Sequence, residues 1–152
     1  MNKREKIFVA LSGGVDSAVS ALLLKEQGYA LHAVYMENWQ KSKLTPRCTT
    51  EEDRRDALKV ATQLGIPFTV LNFQKAYEEK VIEYFYREYE AGRTPNPDVM
   101  CNKEIKFKAM LKAVLTMGGT KIATGHYARV VEHDGSFHLL KGIDPNKDQT
   151  YF

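Results

Sequence analysis

Long apolar runs are missing from this chain of 152 residues. Its N-terminal apolar stretch, Ile7 to Leu11, falls far short of the roughly 20 residues that cross a bilayer and is too short for a signal-peptide core. A cytoplasmic protein with no membrane partner is expected. Cysteine is scarce as well: only Cys48 and Cys101 occur, and in the cytosol such a pair is expected to rest as thiols, not as a structural bridge. With 10 glycines and 5 prolines the chain has no low-complexity or linker-like stretch, and no internal repeat. One-sided charge is nearly absent too. A net charge of +3 permits an anionic partner without demanding one. What is present is a globular composition, 43% hydrophobic and 27% charged, in a length that suits one domain with a sizeable core.

Apolar patterning alternates between strand and helix. Ile7 to Leu11 has the continuous character of a strand buried on both faces. A helix opened by Asp16 and Ser17 follows, with Val19, Leu22, Leu23 and Leu24 as its apolar residues and Gly28 as its stop. Ala30 to Met36 reads as a second strand and residues 37–47 as polar and irregular. A helix then starts at a Thr49–Glu52 capping box and carries Ala57, Val60, Ala61 and Leu64 on one face. Pro67 to Asn72 predicts a third strand, and Lys75 to Ala91 a long helix with Tyr77, Val81, Tyr84, Phe85 and Tyr89 on one side. Pro95 and Pro97 predict that residues 92–100 are neither helix nor central strand. Asn102 to Met117 reads as helix, Lys121 to Thr124 as a fourth strand, and two short strands flank a turn at residues 133–136. Such alternation implies an α/β fold, an open parallel sheet with crossover helices on both faces.

The chemistry starts at Ser12-Gly13-Gly14-Val15-Asp16-Ser17, between the first strand and its helix. Such a turn presents free backbone N–H groups and the positive end of a helix dipole, which suits phosphate. The hydroxyls of Ser12 and Ser17 add donors. No lysine occupies the place it has in a Walker A loop, so this is a different phosphate loop. Bare phosphate would repel Asp16, an arrangement that makes sense with Mg²⁺ between them.

Cys101 is expected at a helix N-terminus, where the dipole, Lys103 and Lys106 would lower its pKa; the same residue type equally suits a small core position. Cys48 also precedes a helix, but Glu51, Glu52 and Asp53 oppose its ionisation. His126, in Gly125-His126-Tyr127 after the fourth strand, is placed to flank the crevice beyond the first strand, or is a loop residue with no role. Arg93, Lys103, Lys106, Lys108 and Lys112 make either a face for RNA or an ordinary solvated helix face. Tyr84, Phe85, Tyr86 and Tyr89 fit base stacking, although their helical spacing favours core for most of them.

Ser12-Gly13-Gly14-Val15-Asp16-Ser17 resembles the PP-loop of ATP pyrophosphatases. Five further segments are similar to the N-terminal domain of the tRNA-specific 2-thiouridylases: Cys48-Thr49, residues 92–98, Cys101-Asn102-Lys103-Glu104-Ile105-Lys106-Phe107, Thr124-Gly125-His126-Tyr127 and residues 146–152. The resemblance implies a Rossmann-like PP-loop fold of the adenine nucleotide alpha hydrolase type, spanning 1–152 as the N-terminal part of a longer protein. It implies thiolation of the wobble uridine of tRNA at C2. ATP with Mg²⁺ would lie on Ala10, Leu11, Ser12, Gly13, Gly14, Val15, Asp16 and Ser17, with Met36 and Gly125 near the adenine. Asn96, Pro97 and Asp98 would face the target base, and Asp98 would do acid–base work beside the catalytic thiol of Cys101. His126, Lys147, Asp148 and Gln149 would contact tRNA. Sulfur would arrive from a persulfide carrier fed by a cysteine desulfurase. A second cysteine beyond the Asp-Gln-aromatic-Phe segment would carry the persulfide and form a disulfide with the first; this sequence ends before it. The chain by itself is therefore expected to support ATP binding or adenylation only. Two alternatives remain: a PP-loop enzyme acting on a small molecule, or a nucleotide- or tRNA-binding module without turnover.

Overall fold

The structure, a computed structural model, describes residues 5–39 and 49–151. Cys48 and most of the polar segment before it lie outside that set. Four parallel strands, β1 (Lys6–Ala10), β2 (Ala30–Glu37), β3 (Phe68–Asn72) and β4 (Lys121–Ala123), form one sheet in the order β3-β2-β1-β4. β1 and β2 are central, and the apolar residues of β1 run on without alternation because both of its faces are buried. One face carries Val9, Leu11, Ala33 and Tyr35, and the other carries Phe8, Ala10 and Val34.

Helix α1 (Val15–Glu26) and helix α2 (Thr50–Gln63) belong to the first face. Their contact residues are small, Ala21, Ala57 and Ala61, all fully buried. The second face is covered by helix α3, residues 74–90, and helix α4, residues 97–116. Val114 and Met110 of α4 pack on Phe8 and Val34. Each of these helices contains a π-type stretch, Glu78–Ile82 in α3 and Cys101–Met110 in α4. The hairpin β5 (Arg129–His133) and β6 (Ser136–Leu140) stands on its own two-stranded sheet, with Asp134 and Gly135 both at positive φ in the turn.

Four expectations need correction. Residues 97–100 are helical: Pro97 occupies the first turn, where its missing N–H costs nothing, and the Asn96 side chain caps it. No capping box forms at Thr49, whose backbone is already helical; its hydroxyl donates to Asp53 Oδ2 at 2.8 Å instead. In α1 the sheet is met by Ser17 and Ala21, while Val19, Leu22 and Leu23 face outward. In α3 Val81 is the core residue and Tyr77, Tyr84 and Phe85 are half-buried on its side, but Tyr89, expected there too, is exposed near the helix end.

Candidate functional site

The chain runs from β1 outward through β2 to β3 and then returns to place β4 on the other side of β1. The loops leaving β1 and β4 therefore diverge at one topological switch point, where ligands of such sheets bind. A cavity of about 320 Å³ opens there, lined by Ala10, Leu11, Ser12, Asp16, Ser17, Tyr35, Met36, Asn38, Lys106, Thr124, Gly125, His126 and Gln149.

The loop after β1 is held by its own serines. Ser17 Oγ donates to Gly14 O at 3.0 Å and accepts from Ser12 N at 3.2 Å, while Ser12 Oγ accepts from Gly14 N at 3.3 Å. Ser17 is buried, so its hydroxyl shapes the loop before any ligand arrives. Gly14 is the N-cap of α1 and no side chain caps the helix. Its first-turn N–H groups are thus open to an anion. Gly13 adopts φ +87°, and a Cβ there would meet Asp53 O at 2.7 Å. Gly125 lets the β4 loop lie directly on α1, since a Cβ would sit 2.6 Å from Ser17 N.

The tail folds back over this site. Lys147 Nζ lies 2.7 Å from Asp16 Oδ2 and 4.2 Å from the centre of the Tyr127 ring. Gln149 N donates to Tyr127 O at 3.2 Å, and Tyr127 N donates to Gln149 Oε1 at 3.0 Å. Asp148 turns away and accepts from Thr150 N and Oγ1. Half-buried His126 has Nδ1 2.7 Å from Thr124 Oγ1. Burial, and then the charge of Lys106, lower its pKa, so it is neutral near pH 7 and serves as a hydrogen-bonding group.

Seven of the residues assigned to the nucleotide from sequence line the cavity: Ala10, Leu11, Ser12, Asp16, Ser17, Met36 and Gly125. Gly13 and Gly14 shape the turn, and Val15 borders a neighbouring cleft. His126 and Gln149 line the same cavity. Asn96, Pro97, Asp98 and Cys101 do not. Asn96 Oδ1 accepts from Asp98 N at 2.9 Å and from Val99 N at 3.3 Å, and Asp98 is exposed.

Cys101 corrects the expected lowering of its pKa. It sits a turn inside α4, past the capped start, and only 9% of its surface is exposed. Burial pushes the thiol above its ordinary value; Lys106 pulls it down and Asp98 adds to the rise. Its cluster with Val81 and Ile105 packs against Met36, which also lines the cavity. One side chain therefore separates the thiol's surroundings from the cavity.

Sequence reasoning missed Tyr35, Asn38, Lys106 and Thr124 as lining residues. Asn38 and Thr124 follow the carboxyl ends of β2 and β4, a position that could have pointed to them. Asn38 Oδ1 is buried with no hydrogen-bond donor among the described residues, and a ligand amino group would satisfy it. Among the described residues no helix is long and apolar enough to cross a membrane. No group of three or more His, Cys, Asp or Glu among them is placed to hold a metal.

The chain is 56% identical to the tRNA-specific 2-thiouridylase MnmA of Shouchella clausii (strain KSM-K16) and to MnmA 2 of Geobacillus kaustophilus (strain HTA426), in each case over its whole length and 42% of the relative's. It thus spans less than half the length of these relatives. Among solved structures it is similar to the U34-tRNA thiolase NcsA from Methanococcus maripaludis, with a TM-score of 0.58 and 23% identity over 81% of this chain and 38% of the other. That likeness is one of fold, and it agrees with the Rossmann-like PP-loop architecture. The tRNA methyl transferase HUP domain family matches residues 5–152; with that match covering nearly every residue, the chain belongs to the tRNA methyl transferase HUP domain family.

Proposed function

We propose that this chain is the nucleotide-binding, adenylating part of an ATP-dependent tRNA uridine 2-sulfurtransferase acting on the wobble position. The observation that carries the reading is the cavity at the β1–β4 switch point, with uncapped N–H groups at one end and the Cys101 cluster behind Met36. Identity of 56% to 2-thiouridylases supports reading sulfur transfer in preference to the methyl transfer named in the family's description.

ATP is the activating substrate. Its phosphates suit the first turn of α1, and the donor-less Asn38 suits the adenine amino group. Asp16 already accepts a cation, Lys147, at the cavity edge. Mg²⁺ fits there in place of the ammonium, held by one carboxylate plus phosphates, the coordination it commonly takes; it would neutralise phosphate charge. Uridine O2 attacks the α-phosphorus, and the bond to the bridging oxygen breaks, its electron pair leaving with pyrophosphate. The sulfur of Cys101, or a persulfide sulfur, then forms a bond to C2 as AMP departs. Asp98 is the acid–base group, Asn96 and Pro97 face the base, and His126, Lys147, Asp148 and Gln149 meet tRNA. A persulfide carrier charged by a cysteine desulfurase supplies sulfur. Residues 1–152 act as one domain in the cytoplasm, a reading supported by the family match over residues 5–152.

Pyrophosphate release from ATP, measured with and without unmodified tRNA carrying a wobble uridine, tests this. Release that requires tRNA and is lost in Asp16→Ala supports it; release independent of tRNA refutes it. A second reading, a PP-loop enzyme acting on a small molecule, is favoured by the burial of Cys101. It predicts that Cys101→Ala keeps full product formation.

A further inference from the structure

Lys106 was one member of a basic run, yet it stands apart from its neighbours. Lys103, Lys108 and Lys112 are exposed, and Lys108 is bridged to Glu104 at 2.8 Å. Lys106 is half-buried and lines the cavity with Ser12, Asp16, Gly125 and His126. Among the described residues it makes no hydrogen bond or ion pair. An ammonium at a cavity wall with no carboxylate partner is what a site prepared for an anion presents.

Local winding explains the placement. In a regular α-helix a residue five positions after Cys101 would point about 140° away from it. Cys101–Met110 is wound as a π-type helix, in which residue i+5 comes round by about one turn. Lys106 is thereby brought toward the side of Cys101 while its side chain still reaches the cavity. Its charge acts on both neighbours, lowering the pKa of Cys101 against burial and lowering that of His126.

We propose that Lys106 is a further catalytic residue of this site: its ammonium binds the α-phosphate during adenylation and then the anionic sulfur of Cys101 as it attacks. The assignment rests on the ATP-dependent reading above. Lys106 moves no proton in either step. Adenylation makes the O2–phosphorus bond, breaks the phosphorus–bridging-oxygen bond and expels pyrophosphate, and Lys106 balances charge that builds on the phosphoryl oxygens. The attacking sulfur is flanked by Asp98 on its own helix and Tyr77 on α3. Lys106 is the cation acting on it.

The test compares ATP with adenosine as ligands of the folded chain carrying Cys48→Ser, so that Cys101 is the sole thiol. Lys106→Met is expected to weaken ATP binding by about tenfold or more while adenosine binding holds, because a charge-assisted contact to phosphate is lost. Lys106→Arg should recover most of the ATP affinity, and Lys106→Gln should behave as Lys106→Met. The pH midpoint for alkylation of Cys101 should rise in Lys106→Met and Lys106→Gln. Unchanged ATP affinity in both neutral variants overturns the proposal, as does an equal loss of ATP and adenosine. Failure of tRNA to elicit pyrophosphate from the wild-type chain refutes the thiolation reading alone. Selective loss of ATP binding would still support the phosphate role of Lys106.

Discussion

Two helix starts dominate this molecule, and they are finished differently. At α1 the chain enters through Gly13 and Gly14, no side chain caps the first turn, and the open N–H groups face a cavity. At α4 it enters through Pro95 and Pro97, and Asn96 takes up the N–H groups of Asp98 and Val99. Both helices have a macrodipole, but only the uncapped end leaves donors for a ligand. Cys101, a turn inside α4 and buried, gains little from the dipole and loses hydration. The uncapped start of α1 is thus preformed, while the thiol rests protonated and shielded, and ionising it needs something to enter or move.

The contrast can be broken at several points. The largest effect is expected from Asp16→Ala, which removes the carboxylate beside the open helix start. Pyrophosphate release should fall about 100-fold or more with no change in the melting curve, whereas Cys101→Ala should leave release intact; equal losses in the two variants would erase the division of labour. Next comes Gly125→Ala. Its methyl would press on Ser17 N, 2.6 Å away, costing about 1–3 kcal/mol in a denaturant titration and weakening ATP binding as the β4 loop lifts off α1.

A smaller effect is expected from Asn96→Ala, which uncaps α4 and should cost about 1 kcal/mol, with Asn96→Asp recovering most of it. An Asn96→Ala chain as stable as wild type would show that the cap is not what closes this helix start. The smallest effect belongs to His32, which is stacked on Phe8 and has Nε2 2.8 Å from Thr69 Oγ1. Burial, and then Lys6, lower its pKa from 6.5. The unfolded chain therefore takes up this proton before the folded one does. The contribution of His32 to stability is complete above about pH 6.5 and drains away as pH falls toward the folded value. Thermal melts between pH 7.5 and 5 should show that slope, and His32→Gln should flatten it.

Much of the fold could be read along the chain. β1, β2 and the stop at Gly28 announce themselves because a strand buried on both faces needs an unbroken apolar run and a helix end favours glycine at positive φ. The hairpin was legible from Asp134-Gly135, which takes the positive φ values that a tight turn requires. The π-type stretches were not legible, because hydrophobic spacing does not distinguish them from ordinary helix, and missing the one in α4 hid the placement of Lys106. Cys101 was misjudged for a related reason: Pro97 looked like a break and proved to be the first turn.

By itself the sequence determined the parallel α/β architecture and the turn that leaves β1 through Gly13 and Gly14 into α1, because these depend on local backbone preference and on the alternation of strand with helix. Only the tertiary structure decided which groups meet. It set Lys147 on Asp16 across 131 positions, buried Cys101 behind Met36 and turned Lys106 inward. Those outcomes follow from packing and from charges brought close through space, and neither is written in the spacing of residues along the chain.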